Sequence, residues 1–289
     1  MLLITFMTEN VARIGALDGA EVIDFGVAAP GLPRGMPAFI TLGTAGLEQA
    51  RKAVAGGKGR LPLRQVRLLA PIPWPLRNIF CIGRNYREHA REVTTGGGDP
   101  DIPETPIVFT KTTTAVTGPD ATIPAQLDPT HSMDYEGELG VIIGPGGRGI
   151  EREQAMQHVY GYTIINDVTS RRLQKQHQQW FIGKSLDGSC PMGPAILTAD
   201  AITDVQALRI QTHVNGELRQ DAAVGDMIFD IPTLIATLSR TMTLLPGDII
   251  ATGTPAGVGM GFKPPRFLQA GDKVSIRIDP IGTLTNTVE

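Results

Sequence analysis

The stretch Asp134-Tyr135-Glu136-Gly137-Glu138-Leu139-Gly140-Val141-Ile142-Ile143 constrains this chain more than any other. Side chains alternate faces along a strand, so Glu136 and Glu138 project to the same side. Like charges that close destabilise a sheet and raise one another's proton affinity unless a cation lies between them. A solvated edge strand tolerates such a pair. Leu139, Val141, Ile142 and Ile143 describe a buried strand instead, where an unpaired carboxylate is very costly. The sequence therefore calls for positive charge at this strand, and a divalent metal ion is the simplest source.

A third carboxylate stands where another apolar run, Tyr160 to Asn166, ends at Asp167. Two readings stay open. If the two strands are neighbours, Glu136, Glu138 and Asp167 form a set of hard oxygen donors with open positions for water and substrate. Such a set selects magnesium or manganese, with calcium compatible, over zinc or copper. If they are not, Asp167 is an N-cap for a helix over 170–178. His89 and Glu92 are three apart on a short helix that follows Gly83-Arg84-Asn85-Tyr86. There a carboxylate can fix an imidazole in one tautomer, the geometry of a general base, or the two form a plain surface ion pair. The polar segment 93–105, with Gly96-Gly97-Gly98 and several prolines, reads equally as a lid or as a slack surface loop.

The rest of the chain is patterned as short strands with few helices. Asp18-Gly19 and Asn215-Gly216 sit between alternating runs and predict hairpins. Thr44 is placed to cap a helix over 45–55 that stops at Gly56-Gly57, and Glu151 to His158 reads as a further helix. Asp230, Pro232 and the stripe Leu234, Ile235, Leu238 predict a capped helix. Pro71-Ile72-Pro73-Trp74-Pro75 is a stiff connector, which divides the chain into a small N-terminal α+β unit, 1–70, and a larger, mostly β unit, 71–289. The fold class is α+β, mostly β.

With a net charge of −3, the chain carries no signature of nucleic-acid or charged-membrane binding. It has no apolar run near the ~18 residues of a membrane span and no signal-like N-terminus, so the cytoplasm is the expected location. Cys81 and Cys190 form neither a disulfide framework nor a zinc spacing. Gly183-Lys184-Ser185 imitates the end of a phosphate-binding loop, but Gln178 stands where its first glycine is needed, leaving Lys184 as a cation for a pocket. The cluster Gly257-Val258-Gly259-Met260-Gly261 is followed by Lys263-Pro264-Pro265, which forbids the helix of a dinucleotide site. There is no Gly-x-Ser-x-Gly elbow.

These motifs in order, namely Gly83-Arg84-Asn85-Tyr86 with His89 and Glu92, Phe109-Thr110-Lys111, Asp134-Tyr135-Glu136-Gly137-Glu138, Asn166-Asp167-Val168-Thr169-Ser170-Arg171 with Gln174, Gly183-Lys184-Ser185, Val214-Asn215-Gly216-Glu217, and Thr252-Gly253-Thr254-Pro255 with Gly257-Val258-Gly259, resemble the fumarylacetoacetate hydrolase family, in its bacterial acylpyruvase and 2-hydroxyhepta-2,4-diene-1,7-dioate isomerase-like group. The resemblance spans about residues 70 to 289, and residues 1–70 resemble the variable small domain that often precedes this core. It implies a mixed β-roll, commonly a homodimer, with Glu136, Glu138 and Asp167 as ligands of magnesium or manganese. It further implies His89 and Glu92 as a lid dyad, Lys184 as the stabiliser of developing enolate charge, Gln174 and Thr254 as substrate contacts, and Arg171 as a motif arginine near the substrate. Two positions depart from the family pattern: Thr112 replaces a usual proline and Arg172 a frequent aspartate. The implied substrate is a small 2-oxo acid, whose carboxylate and keto oxygens chelate a hard ion. The implied reaction is hydrolysis of the C3–C4 bond of an acylpyruvate-type 2,4-diketo acid, pyruvate leaving as its enolate. Oxaloacetate decarboxylation and 2-hydroxy-dienoate isomerisation or hydration use the same enolate and stand as alternatives.

Overall fold

The computed structural model describes residues 1–93 and 102–289, so 94–101, most of the expected lid or loop segment, lies outside the described residues. The strand-rich pattern folds into a twelve-stranded mixed sheet facing a five-stranded one. Along the larger sheet Leu2–Thr8 pairs with Cys190–Thr198, then come Val159–Asn166, Gly137–Ile143, Ile249–Ala251, Ile79–Gly83 and, at the edge, Ile107–Lys111. Most pairs are antiparallel; Ile249–Ala251 and Ile79–Gly83 run parallel. Both hairpins form, Val11–Asp18 with Glu21–Asp24 and Arg209–Val214 with Glu217–Ala223. The N-terminal strands extend the main sheet through Leu2↔Leu197 and Leu3↔Ile196. Leu3, Phe39 and Ile40 pack in the same apolar cluster as Ile79, Ile142 and Ile196.

The pairing of Gly137–Ile143 with Val159–Asn166 decides where the chemistry sits. Its register sets Gly137 opposite Asn166 and Glu138 opposite Ile165. The backbone N–H of Asp167 donates to the Glu136 carbonyl at 2.8 Å, so the aspartate that ends one strand lies beside the glutamates that begin the other. Leu139, Val141, Ile142 and Ile143 are fully buried, each contributing about 1.5–3 kcal/mol of apolar burial to hold that strand in place.

Local expectations divide. The helix Ile231–Thr241 is capped by Asp230, whose side chain accepts from Thr233 N–H, with proline in its first turn. The helix Gly43–Gly56 ends at Gly57 in the left-handed conformation, but it begins after Leu42 and Thr44 makes no capping bond. The expected helix over Glu151–His158 is instead a run of turns closing in a 3₁₀ turn, Ala155–His158. Only Ala155 of that turn is buried, so the segment has no apolar stripe to dock a longer helix. The acidic stretch is not one strand either: Met133–Asp134 pairs with Thr169–Ser170, and a break at Tyr135–Glu136 precedes Gly137–Ile143. Among the described residues no helix is long and apolar enough to cross a membrane.

Candidate active site

Glu136, Glu138 and Asp167 meet, with one carboxylate oxygen of each lying within 4.8 Å of the others and all three side chains buried. Asp167 is no helix cap: the helix Arg171–Gln176 starts after Ser170, and the aspartate turns into the cluster. Three buried cations balance it. Lys184 Nζ lies 2.6 Å from Glu136 Oε2 and 2.7 Å from Asp167 Oδ2. Lys111 Nζ stands 2.9 Å from Asp167 Oδ1 and donates to the Val168 carbonyl at 2.8 Å. Arg171 spans Glu136 Oε1 at 2.6 Å and Asp134 Oδ2 at 2.8 Å.

The balance is uneven. Burial alone would raise the Glu136 carboxyl, but Lys184 and Arg171 outweigh it and hold Glu136 ionised far below the usual carboxylate range. Lys184, for its part, is held protonated: burial disfavours its charge, and Asp167 and Glu136 more than restore it. Glu138 makes no ion pair among the described residues and accepts one hydrogen bond, 2.9 Å from Gly253 N–H. Burial, then the adjacent Asp167 and Glu136 charges, push its carboxyl well above the ordinary value. Asp167 Oδ1 sits near Lys111 but accepts no hydrogen bond. A buried glutamate without a cationic partner, an oxygen without a donor and three hard ligands on one point fit a divalent, oxygen-preferring ion.

His89 and Glu92 lie on the short helix Arg87–Glu92, with His89 Nδ1 3.2 Å from Glu92 Oε2. His89 is only 5 % exposed, which removes the surface ion-pair reading. The start of this helix is clamped by Asn85, whose side chain donates to the carbonyls of Thr252 (2.7 Å) and Phe229 (3.0 Å) and accepts from Phe229 N–H (2.8 Å). His89 of the dyad and Glu136 and Glu138 of the acidic cluster line one cavity of about 230 Å³, also lined by Arg171, Gln174, Lys184 and Thr254. Thr254 reaches it with its hydroxyl already engaged, donating to the Gly137 carbonyl at 3.0 Å and accepting from Gln220 at 2.7 Å. Phe109 and Trp180, edge to face at 5.2 Å, wall the other side, and the Lys184 ammonium lies 4.8 Å above the Phe109 ring.

The glycine cluster set aside as a dinucleotide site has another task. Together with Gly253 just before it, its backbone N–H groups bind three carboxylates: Gly253 to Glu138, Gly257 to Glu92 at 2.9 Å, and Gly259 to Asp134 at 2.7 Å. Gly257 has φ +105, and a Cβ there would fall 1.8 Å from the Arg219 carbonyl, so no larger residue fits. Asp134 also accepts from Met260 N–H and from Arg171, which makes it the keystone between loop and cluster. Sequence reasoning assigned no role to Asp134, Lys111 or Asn85, although each lies inside a quoted motif. Both family departures are accommodated. The Thr112 N–H, which a proline would lack, donates to Ser185 Oγ at 3.2 Å, and Arg172 points outward to the Thr130 carbonyl at 2.8 Å.

Residues 78–289 match the family model described as fumarylacetoacetate (FAA) hydrolase, C-terminal. The chain is 56 % identical over 226 residues to the oxaloacetate tautomerase YisK of Bacillus subtilis (strain 168), covering 78 % of this chain and 74 % of that one. Among solved structures, the fumarylacetoacetate hydrolase of psychrophilic Exiguobacterium antarcticum superimposes with a TM-score of 0.85 at 43 % identity, covering 100 % of this chain and 99 % of the other. The maleylpyruvate hydrolase of Sphingobium sp. SYK-6, solved with manganese(II) and pyruvate, gives 0.80 at 35 % identity, covering 100 % and 98 %. The chain belongs to the fumarylacetoacetate hydrolase family.

Proposed function

We propose that this family member interconverts the keto and enol forms of a 2-oxo acid, with oxaloacetate as the first substrate to test. The observation that carries the reading is that His89, held by Glu92, shares a single small cavity with Glu136 and Glu138 of the buried three-carboxylate cluster. Magnesium or manganese on Glu136, Glu138 and Asp167 would chelate the substrate's carboxylate and 2-oxo oxygens and act as a Lewis acid. The remaining work falls to side chains. Glu92 holds His89 through Nδ1 and leaves Nε2 to take the C3 proton, while the C3–H electron pair moves toward the 2-oxo oxygen. Lys184, held protonated, supplies fixed positive charge where that oxygen gathers negative charge. His89 then returns the proton to oxygen, so the net change is an isomerisation. Arg171 and Gln174 orient the acid from the cavity wall. The 56 % identical oxaloacetate tautomerase supports this reading.

A second reading is hydrolysis of an acylpyruvate-type 2,4-diketo acid, in which His89 deprotonates a water instead of C3. The likeness to the maleylpyruvate hydrolase favours it. Decarboxylation of oxaloacetate and isomerisation of a 2-hydroxy-dienoate pass through the same enolate. The test is to follow the enol absorbance and C3 deuterium exchange of oxaloacetate, and in a separate tube the NMR products of acetylpyruvate, each with magnesium and with chelator. Magnesium-dependent enol relaxation without pyruvate release supports the tautomerase. Release of pyruvate and acetate from acetylpyruvate, with oxaloacetate relaxing at its background rate, replaces it with the hydrolase.

A further inference from the structure

We infer that Gln220, which is not among the described residues lining the cavity, is a positioning residue that fixes Glu136 and Glu138 as a pair of metal ligands. The inference rests on the proposed reading of Glu136, Glu138 and Asp167 as a metal site, and adds to that site a part of the second sheet.

Gln220 lies on the strand Glu217–Ala223 of the five-stranded sheet and is fully buried. Its side chain crosses to the twelve-stranded sheet. Oε1 accepts from Gly137 N–H at 3.0 Å, while Nε2 donates to Thr254 Oγ1 at 2.7 Å and to the Pro255 carbonyl at 2.8 Å. The Thr254 hydroxyl closes a ring by donating to the Gly137 carbonyl at 3.0 Å. Gly137 N–H can only donate and the Pro255 carbonyl can only accept, so the amide has one orientation. Of the uncharged side chains, only a carboxamide offers an acceptor and two donors together.

The ring encloses the residue between the two glutamates. Glu136 is drawn into place by Lys184 and Arg171, whereas Glu138 makes no ion pair among the described residues and is left to its own backbone and to Gly253 N–H. Gln220 holds both of these supports: it bonds Gly137, just before Glu138, and it bonds Thr254 and Pro255, just after Gly253. Its own place follows from a bulge. In the hairpin Thr212 pairs with Gln220 and His213 with Leu218, which leaves Arg219 as an extra residue. Arg219, its side chain 7 % exposed, and Gln220, fully buried, therefore both turn inward, where regular alternation would send one of them out. The Arg219 carbonyl backs Gly257, and Thr212 lies against Gly137, where a Cβ would fall 2.2 Å from its Oγ1. One bulge thus seats the hairpin on the acidic strand and on the glycine loop together, a use of bulges common beside active sites.

The experiment uses the full chain with Mn²⁺ as the probe. Parent, Q220M, T254V and the double variant are compared by Mn²⁺ Kd from electron paramagnetic resonance, by the line shape at saturating Mn²⁺, and by Tm in chelator. Losing a partner that orients metal ligands typically weakens binding about 10- to 100-fold, so Q220M should raise Kd by that factor and alter the line shape of the bound ion. Q220M and T254V break the same ring, so the double variant should bind within about threefold of the weaker single one. A Q220M Kd within about threefold of the parent, with an unchanged line shape, reduces Gln220 to a packing residue whatever the fall in Tm, and overturns the inference. Losses that multiply in the double variant overturn it as well, since the two residues then act independently. T254V leaves Gln220 in place and reads the ring from its other side, so the same Kd criterion decides where Q220M does not fold. A parent protein that binds no Mn²⁺ overturns the metal-site reading and this inference with it.

Discussion

Replacing Lys111 with methionine isolates a buried charge whose role the sequence left unassigned. The side chain is fully buried, as is its partner Asp167, and methionine keeps the stem's length while deleting the ammonium. Removing one partner of a buried ion pair typically costs about 3–5 kcal/mol, because the other charge stays behind without compensation. The Val168 carbonyl also loses its 2.8 Å donor. Lys184 remains 2.7 Å from the same aspartate, which places the expected cost at the lower end, about 3 kcal/mol. For a domain of this size that corresponds to a fall of roughly 6–12 °C in Tm. The lost charge is positive, so a divalent ion should recover part of the deficit, and the gap between variant and parent should narrow when magnesium or manganese is added. Thermal unfolding followed by circular dichroism, with chelator and with saturating metal, reads both effects; titration with Mn²⁺ followed by electron paramagnetic resonance reads the site directly. A fall of less than about 1 kcal/mol in chelator, with Mn²⁺ affinity unchanged, would refute the claim that Lys111 holds Asp167 in place.

Glu138→Gln should trade binding for stability. Its native pKa lies above the unfolded value near 4.3, so in metal-free protein the carboxyl subtracts stability increasingly as pH rises past that value. Glutamine keeps an acceptor for Gly253 N–H and removes the penalty. The metal-free variant should therefore gain on the parent between pH 5 and 8 in chemical denaturation while losing Mn²⁺ binding, and a relative loss across that range contradicts the assignment. For the same reason, metal uptake by the parent should release protons, seen as a buffer-dependent enthalpy in calorimetry; buffer-independent heats count against it. Gly257→Ala forces the loop away from the Arg219 carbonyl and breaks the Gly257–Glu92 hydrogen bond. Displacing the dyad by even about 1 Å should lower kcat near 10²-fold with Mn²⁺ affinity retained, so wild-type turnover would show that the anchor is dispensable.

The parts legible in the sequence were those carried by local rules. Turn residues between alternating runs marked both hairpins, an apolar run marked the buried Gly137–Ile143 strand, and same-face glutamates with a strand-end aspartate made the acidic cluster one of two open readings. What escaped depends on pairings between distant segments. Asp134 looks like one more strand carboxylate until Gly259, 125 residues on, donates to it. Lys111, at the end of a strand, reads as an exposed terminus until the strand Val159–Asn166 delivers Asp167 to it. Thr44 matched a capping preference, yet the helix started earlier, because its boundary follows the burial of Gly46, Leu47, Ala50 and Ala53 and not a cap worth about 1 kcal/mol. The hydroxyl of Thr254 belongs to Gly137 and Gln220, a commitment no spacing along the chain reveals.

The loop Gly253 to Gly261 grips Glu138, Glu92 and Asp134 through its own backbone, so acidic cluster, His89–Glu92 dyad and keystone share one mounting. An insertion in the loop would upset all three carboxylates at once. The length of this one loop is therefore a constraint on the whole site.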